Sequence, residues 1–153
     1  MKRMLLTCLF LLFLTNTFLY AQHGIKLGFR AGYSMATQYG ITTTGANDEL
    51  VAASDILMLA VKPQVAGPVM APLKSCTDDS KLVISIVAGL TVAAMAEALG
   101  TGTRIIRTVP NTPVFVGEGM VALASDGPAT GDDYAMAEAI FRPVARIVSV
   151  EEK

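Results

Sequence analysis

The chain has 153 residues, about the size of one ordinary domain, and sets 12 basic against 13 acidic side chains for a net charge of −1. That balance, with no Lys/Arg cluster to build a basic face, argues against a nucleic-acid partner. The mean hydropathy of +0.51 is high for a soluble chain, and the apolar excess is concentrated near the start.

The first element is a leader. Lys2 and Arg3 form a charged region, Met4 to Leu14 an apolar one, and Thr15 to Ala21 a more polar stretch ending in a small residue. This order predicts a signal-peptide helix within residues 1–21, whose apolar core is shorter than the roughly 20 residues of a membrane span. Cys8 lies in the middle of the apolar region, which argues against a lipoprotein cleavage site. With the leader removed Cys76 is the sole thiol, so no internal disulfide can form.

Residues 22–38 are a linker or strand of uncertain origin. Ile25, Leu27, Phe29, Ala31 and Tyr33 alternate with Lys26, Gly28, Arg30, Gly32 and Ser34, a period-two strand with one apolar face. Directly behind a leader it resembles the first strand of small outer-membrane β-barrel proteins. Taken alone it is equally a single amphipathic edge strand.

From about Tyr39 strand and helix signals alternate. Asp55–Val61, Lys81–Val87 and Arg104–Val109 are continuous apolar runs, as expected of strands covered on both faces. Crossover-length segments separate them, which predicts three adjacent parallel strands. Gln64 to Leu73 reads as a helix weakened by Gly67 and Pro68. Thr91 can cap a helix that runs to Leu99 and closes at Gly100. Met120–Ser125 is a fourth strand. Thr130 opens a helix with Asp132 and Asp133 in its first turn, where the dipole favours negative charge. That helix fades near Pro143, and "ARIVSV" is the last strand. The alternation predicts a mainly parallel, doubly wound α/β sheet.

Ligands of such sheets bind where the carboxyl ends of the strands converge. Here those ends are Lys62-Pro63, Ala88-Gly89 and Pro110-Asn111-Thr112-Pro113, each short and either small or conformationally fixed. They could form a ledge for a flat ligand, with Lys62 adding a charge suited to phosphate. The same residues could equally be a solubilising charge, a plain turn and a rigid connection. No metal-ligating cluster is apparent.

Four segments carry a resemblance: "YGITTTGANDELVAASDILMLAVKPQV", "KLVISIVAGLTVAAMAEALG", "RIIRTVPNTPVFVGEGMVAL" and "IFRPVARIVSVEE". In order and spacing, residues 39 to 152 resemble the N-terminal dinucleotide-binding domain of pyrroline-5-carboxylate reductase, with Val109 where the family usually has Met. The resemblance implies an incomplete Rossmann-type domain over residues 39–153, with NADP or NAD as cofactor. By the same resemblance Ala60, Val61, Lys62 and Pro63 would contact the dinucleotide. Ile86, Val87 and Ala88 would pass beside the nicotinamide and its ribose, and Asn47 would reach toward the adenosine half. Asn111, Thr112 and Pro113 would lie near the nicotinamide and the substrate, 1-pyrroline-5-carboxylate, whose C=N carbon takes a hydride to give proline. No catalytic residue is carried over.

The departures are specific. The family's opening glycine-rich turn holds the pyrophosphate on backbone N–H groups. "IKLGFRAGYSMA" has the wrong glycine spacing for that turn and places Arg30 inside it. The helix and strand that follow in the family have no counterpart before "YGITTT". No residue matches the family's C-terminal domain, which dimerises and makes most substrate contacts, so the fragment is expected to be inactive alone. The family is cytoplasmic, whereas the leader implies export. Two alternatives stand beside this reading: an exported or outer-membrane β-barrel-type N-terminus, fused to the reductase part so that the chain is a chimera, and another Rossmann dehydrogenase.

Overall fold

The computed structural model describes residues 26–28, 42–124 and 126–152. The leader with its expected helix within residues 1–21, and most of the alternating stretch after it, lie outside the described residues.

The three apolar runs are three adjacent strands. β3 (Ile56–Leu59), β4 (Leu82–Ser85) and β5 (Arg104–Pro110) are parallel, with Ile56 opposite Leu82 and Leu82 opposite Arg104. β3 and β4 are buried on both faces because their side chains alternate between two apolar layers, whereas β5 is buried at Ile105, Ile106 and Thr108 but exposes Val109 at its end, short of the continuous buried run expected. Ile56, Met58 and Ala60 point into one layer, while Leu57, Leu59 and Val61 point into the other. β6 (Gly119–Ala124) returns antiparallel to β5, and β7 (Ala145–Ser149) is again parallel to β6. The single antiparallel step has a steric origin. Eight residues join β5 to β6, and a parallel crossover needs a dozen or more.

Helices cover both faces. α1 (Asn47–Ala52), α2 (Pro63–Met70) and α3 (Val92–Leu99) pack on one layer through Leu50, Ala66, Met70, Met95 and Leu99. α4 (Gly131–Phe141) closes the other with Ala137, Ile140 and Phe141. The sheet is therefore doubly wound, as its alternation of strands and helices implies.

The caps expected from sequence form. The Thr91 hydroxyl accepts from Ala94 N, and Gly100 closes α3. At α4 the Thr130 hydroxyl accepts from Asp133 N, while the Asp133 carboxylate accepts from Thr130 N at 2.8 Å, a reciprocal capping box. Arg104 Nη1 reaches the same buried carboxylate at 2.6 Å.

One helix differs from expectation. The stretch from 64 to 73 is not a single helix: α2 ends at Met70 and a 3₁₀ turn, Ala71–Ser75, follows. Pro63 sits in the first turn, where its missing N–H is not needed, but Pro68 removes an interior hydrogen bond. Gly67 lets the helix continue through Pro68, because it has no Cβ to crowd the proline ring.

The segment "TTT", inside a motif but not read as a strand, is β2 (Thr42–Thr44). It pairs in parallel with β1 (Lys26–Gly28) as a separate two-stranded sheet. Strands of an outer-membrane barrel are antiparallel neighbours, whereas this pairing is parallel.

Candidate functional site at the strand ends

Because β3, β4 and β5 are parallel and in register, their carboxyl ends emerge at one edge of the sheet. Leu59, Ser85 and Arg107 are level across the three strands. The residues just beyond them make a ledge.

Ala60 and Val61 leave β3 with their side chains buried in opposite layers, so what faces outward there is mainly backbone. Lys62 follows as the N-cap of α2, extended and exposed, and Pro63 is the first helical residue. Beyond β4, Ile86 N donates to the Leu59 carbonyl at 3.0 Å, which carries the β3–β4 pairing one residue further. Val87 is buried beneath the ledge. Ala88 is exposed, and Gly89, at φ +72°, has open space where a Cβ would stand.

The third component is the connection from β5 to β6. Asn111 N donates to the Met120 carbonyl at 3.2 Å, and Asn111 Oδ1 accepts from Met120 N at 2.8 Å. Backbone and side chain of Asn111 thus clamp both backbone polar groups of Met120 at the start of the returning strand. Within the clamp, Thr112–Val116 form a 3₁₀ turn, with Thr112 and Pro113 exposed. The Pro113 carbonyl accepts from Glu118 N at 3.1 Å, and Gly117 takes the left-handed conformation at φ +79°. Gly119 is required for a different reason. A Cβ there would lie 2.8 Å from Val114 Cα and 2.9 Å from the Val144 carbonyl oxygen.

The fold therefore brings Ala60 to Pro63, Ile86 to Ala88 and Asn111 to Pro113 to one edge. Asn47 is placed otherwise. It opens α1 beyond β2, outside the five-stranded sheet, and α1 joins one core layer of that sheet through Leu50 and Val51.

Two polar residues beneath the ledge are not evident from the motifs. Ser85 is fully buried, and its hydroxyl accepts from Val87 N at 3.2 Å. Thr108, also buried, donates through Oγ1 to the Ser85 carbonyl at 2.9 Å. The available signal was a lone hydroxyl residue inside each of two apolar runs, since a buried polar group demands a partner.

Known proteins are similar to this chain in sequence and in fold. Residues 28–89 match the family described as NADP oxidoreductase, coenzyme F420-dependent. The pyrroline-5-carboxylate reductase of Methanosarcina acetivorans is 39% identical over 118 residues, 77% of this chain and 44% of that protein. The Synechocystis enzyme of the same name is 39% identical over 125 residues, 82% of this chain and 46% of that protein. The chain is related to the dinucleotide-binding domain of the pyrroline-5-carboxylate reductases. It spans less than half the length of these curated relatives.

Solved pyrroline-5-carboxylate reductases agree. The Plasmodium falciparum enzyme, determined with NADP bound, is 34% identical with a TM-score of 0.68, over 74% of this chain and 43% of that one. The Coxiella burnetii reductase is 25% identical with a TM-score of 0.79, over 99% of this chain and 55% of that one. Prephenate dehydrogenase from A. aeolicus, at 13% identity and a TM-score of 0.59, shares the fold alone. Among the described residues no helix is long and apolar enough to cross a membrane.

Proposed function

We propose that residues 39–153 are the cofactor-binding part of a pyrroline-5-carboxylate reductase, an oxidoreductase that uses NADP or NAD and acts on a small imine. The observation that carries this is the ledge itself: three parallel strand ends, one exposed lysine and a clamped proline-rich turn at a single sheet edge. The space above it suits a flat ring, since Ala88 is exposed and nothing stands over Gly89.

In this reading Lys62 attracts the phosphates, and the exposed backbone at Ala60 and Val61 lets the dinucleotide approach closely. Asn47 faces the adenosine half. Ile86, Val87 and Ala88 form the wall beside the nicotinamide, and Asn111, Thr112 and Pro113 its floor. The reduced nicotinamide, when bound, supplies the hydride. The chain's own part is to bind and orient. Lys62 is the one ionisable side chain among these contacts, and a single charge on a flexible stem does not orient an imine. The reading follows the family to a cytoplasmic, homo-oligomeric enzyme with 1-pyrroline-5-carboxylate as substrate and proline as product.

The test is a titration of the full chain with NADPH and NADH, followed by nicotinamide fluorescence. Binding of either, weakened about tenfold by Lys62→Glu as expected for losing one charge-assisted contact, supports the reading. Absence of binding by both dinucleotides at millimolar concentration would reject it.

A further inference from the structure

The loop that follows β4 is held at both ends by groups outside the ledge. At its start stand Ser85 and Thr108, described above. At its far end the loop runs into α3, and there Val92 N donates to Glu152 Oε2 at 2.9 Å. The other oxygen of that carboxylate, Oε1, accepts from Arg107 Nη1 at 2.7 Å. The Glu152 side chain is only 6% exposed, although it lies in the tail beyond β7. An acidic side chain is rarely buried to that degree unless it is paired. Arg107 Nε is itself buried without a partner, so its Nη1 bond to Glu152 is the anchor described for this guanidinium.

We propose that Glu152 is a positioning residue for the ledge. Its carboxylate pins the amino end of α3, and with it the loop Ile86–Thr91, to β5 three residues before Pro110. Two physical consequences follow. The spacing between the wall at Ile86–Ala88 and the floor at Asn111–Pro113 is set by a tie that crosses from one to the other. The carboxylate also fills the position at the α3 amino end that favours an anion. The ligand part of this inference rests on the proposed dinucleotide site, whereas the tie itself does not.

The experiment uses the full chain with Glu152→Ala, Glu152→Gln and Glu152→Asp, and reads amide hydrogen exchange without nucleotide. Glu152→Ala is expected to speed exchange at residues 86–95 by roughly tenfold, as for a lost charged hydrogen bond, while residues 131–141 and 145–149 stay within about twofold. Glu152→Asp should restore part of the protection. In parallel, Glu152→Ala should weaken NADPH several-fold and leave 2′-phospho-ADP-ribose, which lacks the nicotinamide, unchanged. Unaltered exchange at 86–95, a uniform rise across the whole domain, or equal losses for both ligands would overturn the proposal. If the alanine variant does not fold, Glu152→Gln, which keeps the volume and an acceptor but not the charge, carries the same comparison. A wild-type chain that binds no NADPH would sink the dinucleotide site, and the exchange result would still decide the tie.

Discussion

Two glycines of the β5–β6 connection should respond to alanine by different amounts, for different reasons. At Gly119 the backbone is not in the left-handed region, so the difficulty is space. The added Cβ would meet Val114 Cα at 2.8 Å, Val114 Cβ at 2.9 Å and the Val144 oxygen at 2.9 Å. Two of those atoms belong to main chain, which cannot rotate away as a flexible side-chain tip can. Either the 3₁₀ turn or the start of β7 has to move. Overpacking of this kind costs about 1–3 kcal/mol, and main-chain contacts place Gly119→Ala at the upper end. At Gly117 nothing stands within 4 Å of the new Cβ, but φ is +79°. The cost there is conformational only, about 1–2 kcal/mol. Urea unfolding of both variants is the assay. With an m-value of about 1.5 kcal/mol/M the midpoint should fall by roughly 2 M for Gly119→Ala and roughly 1 M for Gly117→Ala. Gly119→Ala should also weaken NADPH binding, since the displaced turn carries Thr112 and Pro113. A Gly119→Ala midpoint within about 0.3 M of the parent would refute the steric argument.

Three further outcomes are expected. Asn111→Ala, which removes the acceptor for Met120 N, should cost about 1 kcal/mol and loosen the turn, whereas Asn111→Asp keeps the acceptor and should unfold near the parent midpoint. Asp133→Ala removes both the α4 capping box and the Arg104 contact; a loss of about 2–3 kcal/mol by thermal or urea unfolding is expected, and a loss below about 0.5 kcal/mol would mean that neither contributes. Burial, and secondarily the negative charge of Asp48, push the Cys76 thiol above its ordinary value. Its thiolate is therefore scarcer than a free cysteine's at pH 8, and peptide-resolved alkylation should be slower there and keep rising at higher pH. Alkylation as fast as that of an unstructured cysteine peptide would contradict this.

The parts of the fold legible in sequence are those set by local pattern. Runs such as "DILML" and "LVIS" have no polar face, which only a strand covered on both sides can accommodate. Thr91 and Thr130 announce helix starts because a side-chain oxygen must meet the free amides of a first turn. The antiparallel return of β6 was not foreseen, although the eight-residue connection requires it. The strand at "TTT" was missed because three residues are too few for a period to register. Of the candidate site, the ledge came from strand-end logic, and its residue roles from the family resemblance. Glu152 could not be found this way. It acts on Val92 from sixty positions away, and nothing in "VEEK" separates a buried acid from its exposed neighbour Glu151.

The ledge also has a division of labour that bears on what the chain can do. Its outward groups are backbone, alanine, proline, the neutral polar Asn111 and Thr112 and one lysine, so they can shape and steer a ligand but supply no oriented carboxyl or imidazole. The groups that keep them in place lie underneath, in Ser85, Thr108 and the Arg107–Glu152 pair, and these are buried or half-buried. Substitution below the ledge should therefore act on binding through geometry, with no change in the charge facing the ligand. Substitution at Lys62 should do the reverse, changing the salt dependence of binding while leaving the loop as protected as before. That contrast follows from burial alone, and it distinguishes the residues that would meet the dinucleotide from those that hold its wall and floor apart.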